Sequence, residues 1–236
     1  MYEFQSRVRY SETDADGQLR LDALFNYMQD CGAFEEESLQ NARKILDQAG
    51  LAWVVNAWQV EIKKLPLSGE TITIGTNVYE YRAFLGLRNF YLKNSQGEII
   101  VMANSIWSLL QLGKGKLVRV PDALAAEYEI GSPMAMDDLP RKIVYDKNQG
   151  KKNPPIQVNS LMVDSNGHMN NAQYLRLAGL FFPHGQTLQR VRVEYKKQAF
   201  PGDILVPVIR KERPFLITFE DENERPYCTV ELAWSA

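Results

Sequence analysis

The fold is decided by a stretch of seven residues that the chain carries twice, as TDADGQL at positions 13–19 and as VDSNGHM at positions 163–169. Asp and Gly stand at equivalent places in both stretches, and Asp14 and Asp164 are 150 residues apart. Similarity within one chain at such a spacing is the sequence signature of a repeated structural unit. The sequence therefore predicts two copies of one module.

Two further pairs of segments recur in the same order. The two members of the first pair are 133 residues apart and those of the second pair are 127 residues apart, against 150 residues for the turns. Because this separation falls along the chain, the second copy has the shorter connections. The pairs are VEIKK (60–64) with SGE (68–70) against VEYKK (193–197) with PGD (201–203), and SIWS (105–108) against LAWS (232–235).

Each copy is predicted to contain one helix after the repeated turn. In the first copy, apolar or small residues fall on one helical face, and the helix is expected to continue past the Glu35-Glu36-Glu37 run. In the second copy the helix is predicted from about Asn171 to Phe182, where Pro183 ends it. The face in the first copy is formed by Leu21, Leu24, Phe25, Met28 and Gly32.

Four segments rich in Val, Ile, Thr, Tyr and Trp follow the first helix and are typical of strands. They cover positions 53–64, 70–81, 87–93 and 98–110, with a hairpin turn at 94–97 that corresponds to 221–224 in the second copy. Each copy thus has the order β-α-β-β-β-β. One helix buries its apolar face most simply when an antiparallel sheet wraps around it, so an α+β fold of two hotdog modules is predicted.

The predicted boundaries follow from the repeats and from a segment with Gly113, Gly115 and several prolines. We expect an N-terminal module at 1–112, a crossover linker at 113–150 with a short helix at 122–128, and a C-terminal module at 151–236. With 236 residues, the chain is long enough for two modules of about 100 residues each.

Composition and charge exclude several classes of partner. The chain is 45% hydrophobic and 24% charged with a net charge of −2, which indicates a folded protein without a basic field for nucleic acid or an anionic membrane. The first residues lack the basic start and apolar run of a signal peptide, and no apolar stretch approaches the length of a membrane span, so a cytoplasmic location is expected. Cys31 and Cys228 have no CxxC spacing, which predicts neither a disulfide framework nor a metal site.

The chemistry is predicted at VDSNGHMNN, positions 163–171, just before the second helix. Asp-x-Asn-x-His-x-Asn-Asn, with Glu-Tyr-Lys-Lys at 194–197, resembles the motif of the plant and bacterial acyl-acyl-carrier-protein (acyl-ACP) thioesterases. The resemblance covers nearly the whole chain, since that family is a tandem hotdog with its active site in the second copy. It implies hydrolysis of fatty acyl-ACP in fatty acid biosynthesis, with no cofactor and no metal. The implied partner is an acyl carrier protein bearing a phosphopantetheine-linked acyl chain, and a homodimer is compatible with the sequence.

The residue types suit thioester chemistry. Asp164 can act as a general base towards water or attack the carbonyl directly, and His168 can donate to the carbonyl or carry a proton. Asn166 can bind the carbonyl or orient His168. Backbone N–H groups at the start of the following helix form a candidate oxyanion site.

A structural interpretation competes with this one, because Asp-x-Asn-Gly is a turn signature and Asn170 or Asn171 can cap a helix. The first copy keeps the turn but has Gln18 in place of His168. It also has Arg20-Leu21 where the second copy has the Asn pair. Turn geometry therefore does not demand the His-Asn-Asn set.

The sequence departs from the family at Gln198, where a Glu is common. Gln cannot take a proton from water, so we expect Gln198 to position a water or the thioester carbonyl. Plant members carry a Cys at the next position, which here is Ala199, and this excludes a cysteine nucleophile there.

Other predictions concern substrate and surface residues. Leu24, Met28 and Trp53 are candidate lining residues of the acyl chamber, with ordinary core packing as the alternative. His184 is expected in an exposed loop. Lys196 and Lys197, like Lys63 and Lys64 of the first copy, are expected either to form a solvated face or to contact an acidic carrier or the pantetheine phosphate.

Three rival functions follow from the same residues. An acyl-CoA thioesterase would differ only in its carrier, and a hotdog dehydratase or hydratase of 3-hydroxyacyl thioesters would use Asp164 and His168 as an acid–base pair. A non-catalytic module would bind acyl thioesters without turnover. The intact Asp-Asn-His set disfavours this alternative, whereas Gln198 leaves it open.

Overall fold

The computed structural model describes residues 1–137, 139–182 and 186–234, with the backbone alone at Glu212. Pro183, His184 and Ser235, on which some of the predictions above fall, lie outside the described residues. The chain divides into two units, Met1–Asp138 (unit 1) and Leu139–Ala236 (unit 2), each of which is described by itself.

Unit 1 has six strands and three α-helices among its described residues, together with a 3-10 turn at Tyr10–Glu12. The strands are β1 (Tyr2–Arg7), β2 (Leu51–Ile62), β3 (Thr71–Arg82), β4 (Leu85–Lys93), β5 (Ile99–Gln111) and β6 (Lys116–Leu117). The helices are α1 (Leu21–Ser38), α2 (Gln40–Ala49) and α3 (Asp122–Ala125). The four predicted strand segments are thus confirmed, with ends that differ by one or two residues.

The strands of unit 1 form an antiparallel sheet in the order β1-β3-β4-β5-β2, and β6 pairs with β5. Helix α1 packs on β1 and β3. Leu24, Phe25 and Met28 are completely buried, which confirms the predicted apolar face. The ring of Phe25 lies edge-on to Trp58 of β2, with centroids 5.5 Å apart, so the helix is anchored on the sheet by aromatic packing.

Helix α1 continues past the Glu35-Glu36-Glu37 run to Ser38, as predicted, and a break at Leu39 separates it from α2. Leu39 takes φ −93° and ψ 73°, and the Ser38 hydroxyl donates to the Glu35 carbonyl oxygen at 2.6 Å. A serine side chain that bonds to backbone one turn earlier competes with the helical pattern, which favours a break. The new direction lets α2 bury Ala42 and Leu46 in a cluster with Leu51, Val78, Leu109, Leu124 and Tyr128.

Unit 2 has six strands and one α-helix among its described residues, with a 3-10 turn at Ser160–Met162. The strands are β7 (Lys151–Lys152), β8 (Ile156–Gln157), β9 (Leu188–Tyr195), β10 (Ile204–Glu212), β11 (Phe215–Glu220) and β12 (Pro226–Trp234), and the helix is α4 (Asn171–Gly179). Helix α4 starts at the predicted residue and ends three residues before Phe182. It is half as long as α1, as the sequence comparison of the copies indicated.

The two units repeat one topology. The order β1-β3-β4-β5-β2 in unit 1 corresponds to β8-β10-β11-β12-β9 in unit 2, where β7 also pairs with β10. Local details repeat too, because the N–H groups of Lys63 and Lys64 converge on one carbonyl of β5, and those of Lys196 and Lys197 converge on one carbonyl of β12. The protein is therefore an α+β tandem of two hotdog modules.

The segment predicted as a linker packs onto both units along much of its length. In unit 1, the N–H of Met134 donates to Asn89 Oδ1 at 2.9 Å, and Gln59 Nε2 donates to the Asp137 carbonyl oxygen at 2.7 Å. In unit 2, the N–H of Ile143 donates to Glu194 Oε2 at 3.2 Å. Buried amide and carboxylate side chains of the sheets thus hold this segment.

Candidate functional site

The repeated turn of unit 2 is closed by three hydrogen bonds. Asp164 N donates to the His168 carbonyl oxygen at 3.1 Å, and Gly167 N donates to the Asp164 carbonyl oxygen at 3.0 Å. Asn166 N donates to Asp164 Oδ1 at 2.9 Å. Gly167 has φ +79°, a conformation in which an L side chain is strained. The Asp and Gly that both copies share are therefore the residues that this turn needs.

The turn of unit 1 is built in the same way. Asp14 N donates to Gln18 O at 2.8 Å, Gly17 N to Asp14 O at 3.1 Å and Asp16 N to Asp14 Oδ1 at 3.0 Å. Gly17 has φ +76°. Since the backbone forms equally well with Asp16 and Gln18, it does not require the side chains that occupy those places in unit 2.

The side chains of the unit 2 turn are accessible. Asn166 is exposed, and Asp164 and His168 are partly exposed. His168 Nδ1 lies 3.3 Å from the carbonyl oxygen of Met169. In the tautomer with the proton on Nδ1, this bond orients the ring and leaves the lone pair on Nε2, which is the atom that accepts a proton from a ligand or a water.

The start of α4 is fixed from two directions. Asn170 Oδ1 accepts the N–H of Ala172 at 2.8 Å, so Asn170 caps the helix as the structural interpretation predicted. The hydroxyl of Tyr195 on β9 donates to the Asn171 carbonyl oxygen at 3.1 Å. Burial raises the pKa of Tyr195 well above its usual value, so this donor keeps its proton. Sequence reasoning missed this contact, although the Glu-Tyr pair at 194–195 carried the signal.

The corresponding helix start in unit 1 holds an ion pair. Arg20 donates from Nε and Nη2 to the two carboxylate oxygens of Asp22 at 3.0 and 3.2 Å, and from Nη1 to the Thr13 carbonyl oxygen at 3.0 Å. Unit 2 has Asn170 and Ala172 at the places of Arg20 and Asp22. The helix start is therefore covered by a guanidinium in the first copy and by a short amide in the second.

The segment that carries Gln198 lies beside the unit 2 turn. Met169 N donates to the carbonyl oxygen of Ala199 at 2.7 Å. Gln198 is exposed, whereas Ala199 is buried. The structure thus brings the backbone of the predicted positioning residue next to the backbone that carries His168.

The charged residues that precede Gln198 have partners within unit 2. Glu194 is buried, and its Oε2 lies 3.2 Å from Lys196 Nζ. Lys197 Nζ lies 3.2 Å from Asp221 Oδ2 and 4.3 Å from the ring centroid of Tyr227. Glu194 is therefore bonded in the interior, and both lysines already contact anionic groups of the same unit.

The predicted lining residues lie in unit 1. Leu24 and Met28 are completely buried on the sheet-facing side of α1. Trp53 is partly buried on β2 and stacks on Tyr81, with centroids 6.0 Å apart, against the cluster that contains Leu46. All three side chains contribute to apolar packing, and their predicted contact with an acyl chain stays a prediction.

Within residues 1–137, 139–182 and 186–234, no group of three or more His, Cys, Asp and Glu side chains is arranged to hold a metal ion. In the same residues, no helix has the length and apolar character that crossing a bilayer demands. His184 lies outside the described residues, so its predicted exposure stays a prediction.

Comparison with known proteins identifies the family. The sequence model of the acyl-ACP thioesterase N-terminal domain matches residues 1–128, more than half of the 236 residues. The chain belongs to the acyl-ACP thioesterase family. A chloroplastic acyl-acyl-carrier-protein hydrolase of Cuphea viscosissima is 27% identical over 183 residues, which are 71% of this chain and 44% of that relative. The chain spans about half the length of the curated thioesterases it matches.

Solved thioesterase structures share the fold. The acyl-ACP thioesterase of Bacteroides thetaiotaomicron VPI-5482 superposes with a TM-score of 0.89 at 19% identity, covering 99% of this chain and 97% of that one. The 12:0-ACP thioesterase of Umbellularia californica gives a TM-score of 0.87 at 15% identity, covering 99% and 96%. Likeness at these identities establishes the tandem hotdog fold of the family.

Proposed function

We propose that the protein hydrolyses fatty acyl-ACP to a free fatty acid and the carrier protein, with its active site on the unit 2 turn. The proposal rests on the two repeated turns, which have the same backbone conformation but different side chains. Unit 2 alone has His168, Asn166 and Asn170 at this turn, next to the Gln198 segment. The membership of the thioesterase family supports the reaction class.

The proposed reaction is the attack of water on the thioester carbonyl carbon. A carbon–oxygen bond forms, one proton of the water passes to the base, and the carbonyl oxygen becomes an oxyanion. Cleavage of the carbon–sulfur bond then releases the pantetheine thiol, which takes up a proton. The base must be a carboxylate or a neutral imidazole, since the amide of Gln198 takes up no proton.

Asp164 is assigned as the base, or as the nucleophile of a mixed anhydride that water then hydrolyses. Its Oδ1 accepts the Asn166 N–H, which fixes the carboxylate, and Oδ2 is proposed as the reactive oxygen. His168 takes up the proton of the water from Asp164 on Nε2 and transfers it to the sulfur of the leaving thiol. In the tautomer with the proton on Nε2, it instead donates to the oxyanion. Asn166 and Gln198 position the carbonyl and the water, and the first N–H groups of α4 add positive potential where negative charge develops.

The acyl chain is proposed to contact Leu24, Met28 and Trp53 of unit 1. The substrate is proposed to be an acyl chain linked to the phosphopantetheine of the carrier protein. The enzyme is further proposed to be cytoplasmic and to require no cofactor, no nucleic acid and no membrane insertion. The assignments of the acyl chain and of the carrier rest on the family and on the apolar packing around α1.

The decisive experiment compares thiol release and free-acid release from an acyl-ACP and from the acyl-CoA of the same chain length. We expect both products from acyl-ACP, and a loss of at least ~100-fold in turnover for His168→Ala. The matched control is Gln18→Ala, which alters the equivalent residue of unit 1 and should leave turnover near that of the parent. Stoichiometric acyl-ACP retention without thiol release would contradict hydrolysis. Faster hydrolysis of acyl-CoA than of acyl-ACP would show that the substrate is acyl-CoA and not acyl-ACP.

A further inference from the structure

Unit 1 contains a surface cavity of about 490 Å³, largely open to solvent, at the end of β1. Its walls come from Ser6, Arg7, Arg9 and Tyr10 on one side and from the Ser68-Gly69 turn on the other. Two arginines and two serines around one cavity supply the donors that bind phosphate oxygens.

The guanidinium of Arg7 is held in place at this cavity. Its Nε donates to the carbonyl oxygen of Gly69 at 2.9 Å. This bond occupies one nitrogen, so the two terminal nitrogens, which bind two oxygens of a phosphate side by side, are left for a ligand as far as the described residues go. Gly69 has φ +84°, a conformation in which an L side chain is strained.

Arg9 adds a second, exposed guanidinium to the cavity, and it is paired within unit 1. Its side chain is 71% exposed, and Nη1 lies 3.2 Å from Glu12 Oε1. The same carboxylate accepts the Tyr27 hydroxyl at 2.7 Å and the Arg9 N–H at 2.9 Å through Oε2. Asp30 is a second carboxylate within electrostatic reach of Arg9. Arg7 forms no ion pair among the described residues, so it is the cation of the cavity that is available to an anion.

The second copy shows that the fold does not need these arginines. Gly69 N donates to Val8 O at 2.9 Å, and Gly202 N donates to Val158 O at 2.9 Å, so the two turns have the same backbone pairing. Unit 2 nevertheless has Gln157 and Asn159 at the places of Arg7 and Arg9. Asn159 caps the 3-10 turn by accepting the Leu161 N–H at 2.9 Å, which Arg9 has no acceptor to do. The module therefore forms without a guanidinium at either place, although Arg7 and Arg9 each bond within unit 1.

We propose that this cavity of unit 1 is a binding site for a phosphate ester. Arg7 binds two phosphate oxygens, Arg9 binds the third, and the hydroxyl of Ser68 completes the contacts. The volume exceeds that of a bare phosphate ion, so the ester's organic part also has room. The phosphate belongs either to a free metabolite or to a phosphopantetheine arm, and the experiment below distinguishes these sources.

The test is calorimetric titration of the full chain with inorganic phosphate, with 4′-phosphopantetheine and with pantetheine. We expect inorganic phosphate and 4′-phosphopantetheine to bind, and pantetheine to bind far more weakly. The double variant Arg7→Gln/Arg9→Asn introduces the residues of the second copy and should weaken phosphate binding by about 10- to 100-fold. Arg43→Gln, on the exposed face of α2 in the same unit, is the control and should bind like the parent.

Equal affinity for inorganic phosphate and 4′-phosphopantetheine would assign the site to phosphate groups in general. Tighter binding of 4′-phosphopantetheine would assign it to the phosphopantetheine of the carrier protein. The proposal fails if the double variant binds phosphate like the parent, if pantetheine binds as tightly as phosphopantetheine, or if no probe binds at millimolar concentration. His168→Ala should keep phosphate binding while losing the proposed hydrolysis. The two proposals can therefore fail separately.

Discussion

The backbone N–H of Met169 donates to the carbonyl oxygen of Ala199 at 2.7 Å, and this bond ties the turn of unit 2 to the segment that follows β9. Unit 1 has the same bond from Leu19 to Pro66 at 2.9 Å. Because the residue before Ala199 is Gln198, the fold itself sets the backbone of Gln198 beside the turn that carries His168. The pairing is a property of the module, and only the side chains differ between the copies.

The first prediction concerns Gln198, which the proposed mechanism uses for positioning. Gln198→Ala should lower single-turnover hydrolysis of acyl-ACP about 10-fold, the magnitude of lost positioning rather than of a lost base. Gln198→Glu should not raise the rate, because a second carboxylate near Asp164 disfavours the ionisation of both. Leu65→Ala, at the equivalent place of unit 1, is the control.

A Gln198→Ala variant that folds but has no detectable hydrolysis would contradict this assignment. So would a large gain in rate for Gln198→Glu, since that result would show that a carboxylate at this place is the better base.

The second prediction separates the structural from the chemical role of Asp164. Asn keeps an Oδ1 that accepts the Asn166 N–H, so Asp164→Asn should preserve the turn and yet reduce turnover by at least ~100-fold. Asp14→Asn in unit 1 removes the same charge from the equivalent turn, where Oδ1 likewise accepts the N–H two residues later. It should leave turnover nearly unchanged. Single-turnover rates and unfolding midpoints of both variants are the measurement.

If both substitutions damaged turnover equally in folded proteins, the assignment of the site to unit 2 would be wrong. If Asp164→Asn were as active as the parent, His168 Nε2 would be the remaining base at the turn.

Much of the fold could be predicted because it depends on local patterns. Alternating β-branched and aromatic residues located β2 to β5 within two residues, and the Asp-Gly pairs located both turns. The break at Leu39 was not predictable from the pattern, since it depends on the burial of Ala42 and Leu46 against distant strands. Helix propensity is a local quantity, and tertiary packing overrides it.

The site was predictable only as a set of residue types. The motif indicated His168 and Asp164, but the partner of the Asn171 carbonyl is Tyr195, and the partner of Lys197 is Asp221. Such contacts join residues that are 24 positions apart in sequence, and no short motif encodes them. The cavity proposed to bind phosphate was missed for the same reason, because Arg7 and Gly69 come together only through the pairing of strands.

The third prediction concerns the proposed acyl chamber. Met28→Trp should bias hydrolysis towards shorter acyl chains by filling space, and Trp53→Ala should bias it towards longer chains by opening space. Because Met28 is completely buried, overpacking should also lower the free energy of unfolding by about 1–3 kcal/mol. Rates across a series of acyl-ACP chain lengths give the profile. An unchanged profile in a folded variant would remove that residue from the chamber.

The fourth prediction uses the two glycines of the repeated turn. Gly17 and Gly167 have φ +76° and +79°, and an added Cβ would meet no atom within 4 Å at either place. Only backbone strain remains, so Gly17→Ala and Gly167→Ala should each lower the free energy of unfolding by about 1–2 kcal/mol. Urea denaturation measures this. Turnover should fall only for Gly167→Ala, and a fall for Gly17→Ala would argue that unit 1 also supports catalysis.

The last prediction concerns the pH dependence of stability at the hairpin turn between β11 and β12. Partial burial pushes the pKa of Asp221 up, but hydrogen bonds from the Arg225 N–H, from Lys197 and from the Asn223 N–H outweigh it and lower the pKa to about 2. A carboxyl whose pKa lies below its ordinary value of 3.8 stabilises the folded state when it is ionised. This contribution is complete at neutral pH and is lost as the pH falls from about 4 towards 2.

The matched residue of unit 1 shows how to remove the charge without removing the turn. Asn94 Oδ1 accepts the N–H groups of Gln96 and Glu98 at 3.0 and 2.9 Å, as Asp221 Oδ1 does with Asn223 and Arg225 at 2.9 Å. Asp221→Asn should therefore keep the hairpin and lose the bond to Lys197. We expect it to be less stable than the parent at pH 7 and equally stable near pH 2, as measured by urea unfolding at each pH. A stability difference that did not shrink between pH 4 and pH 2 would show that the carboxylate charge at Asp221 is not what stabilises the turn.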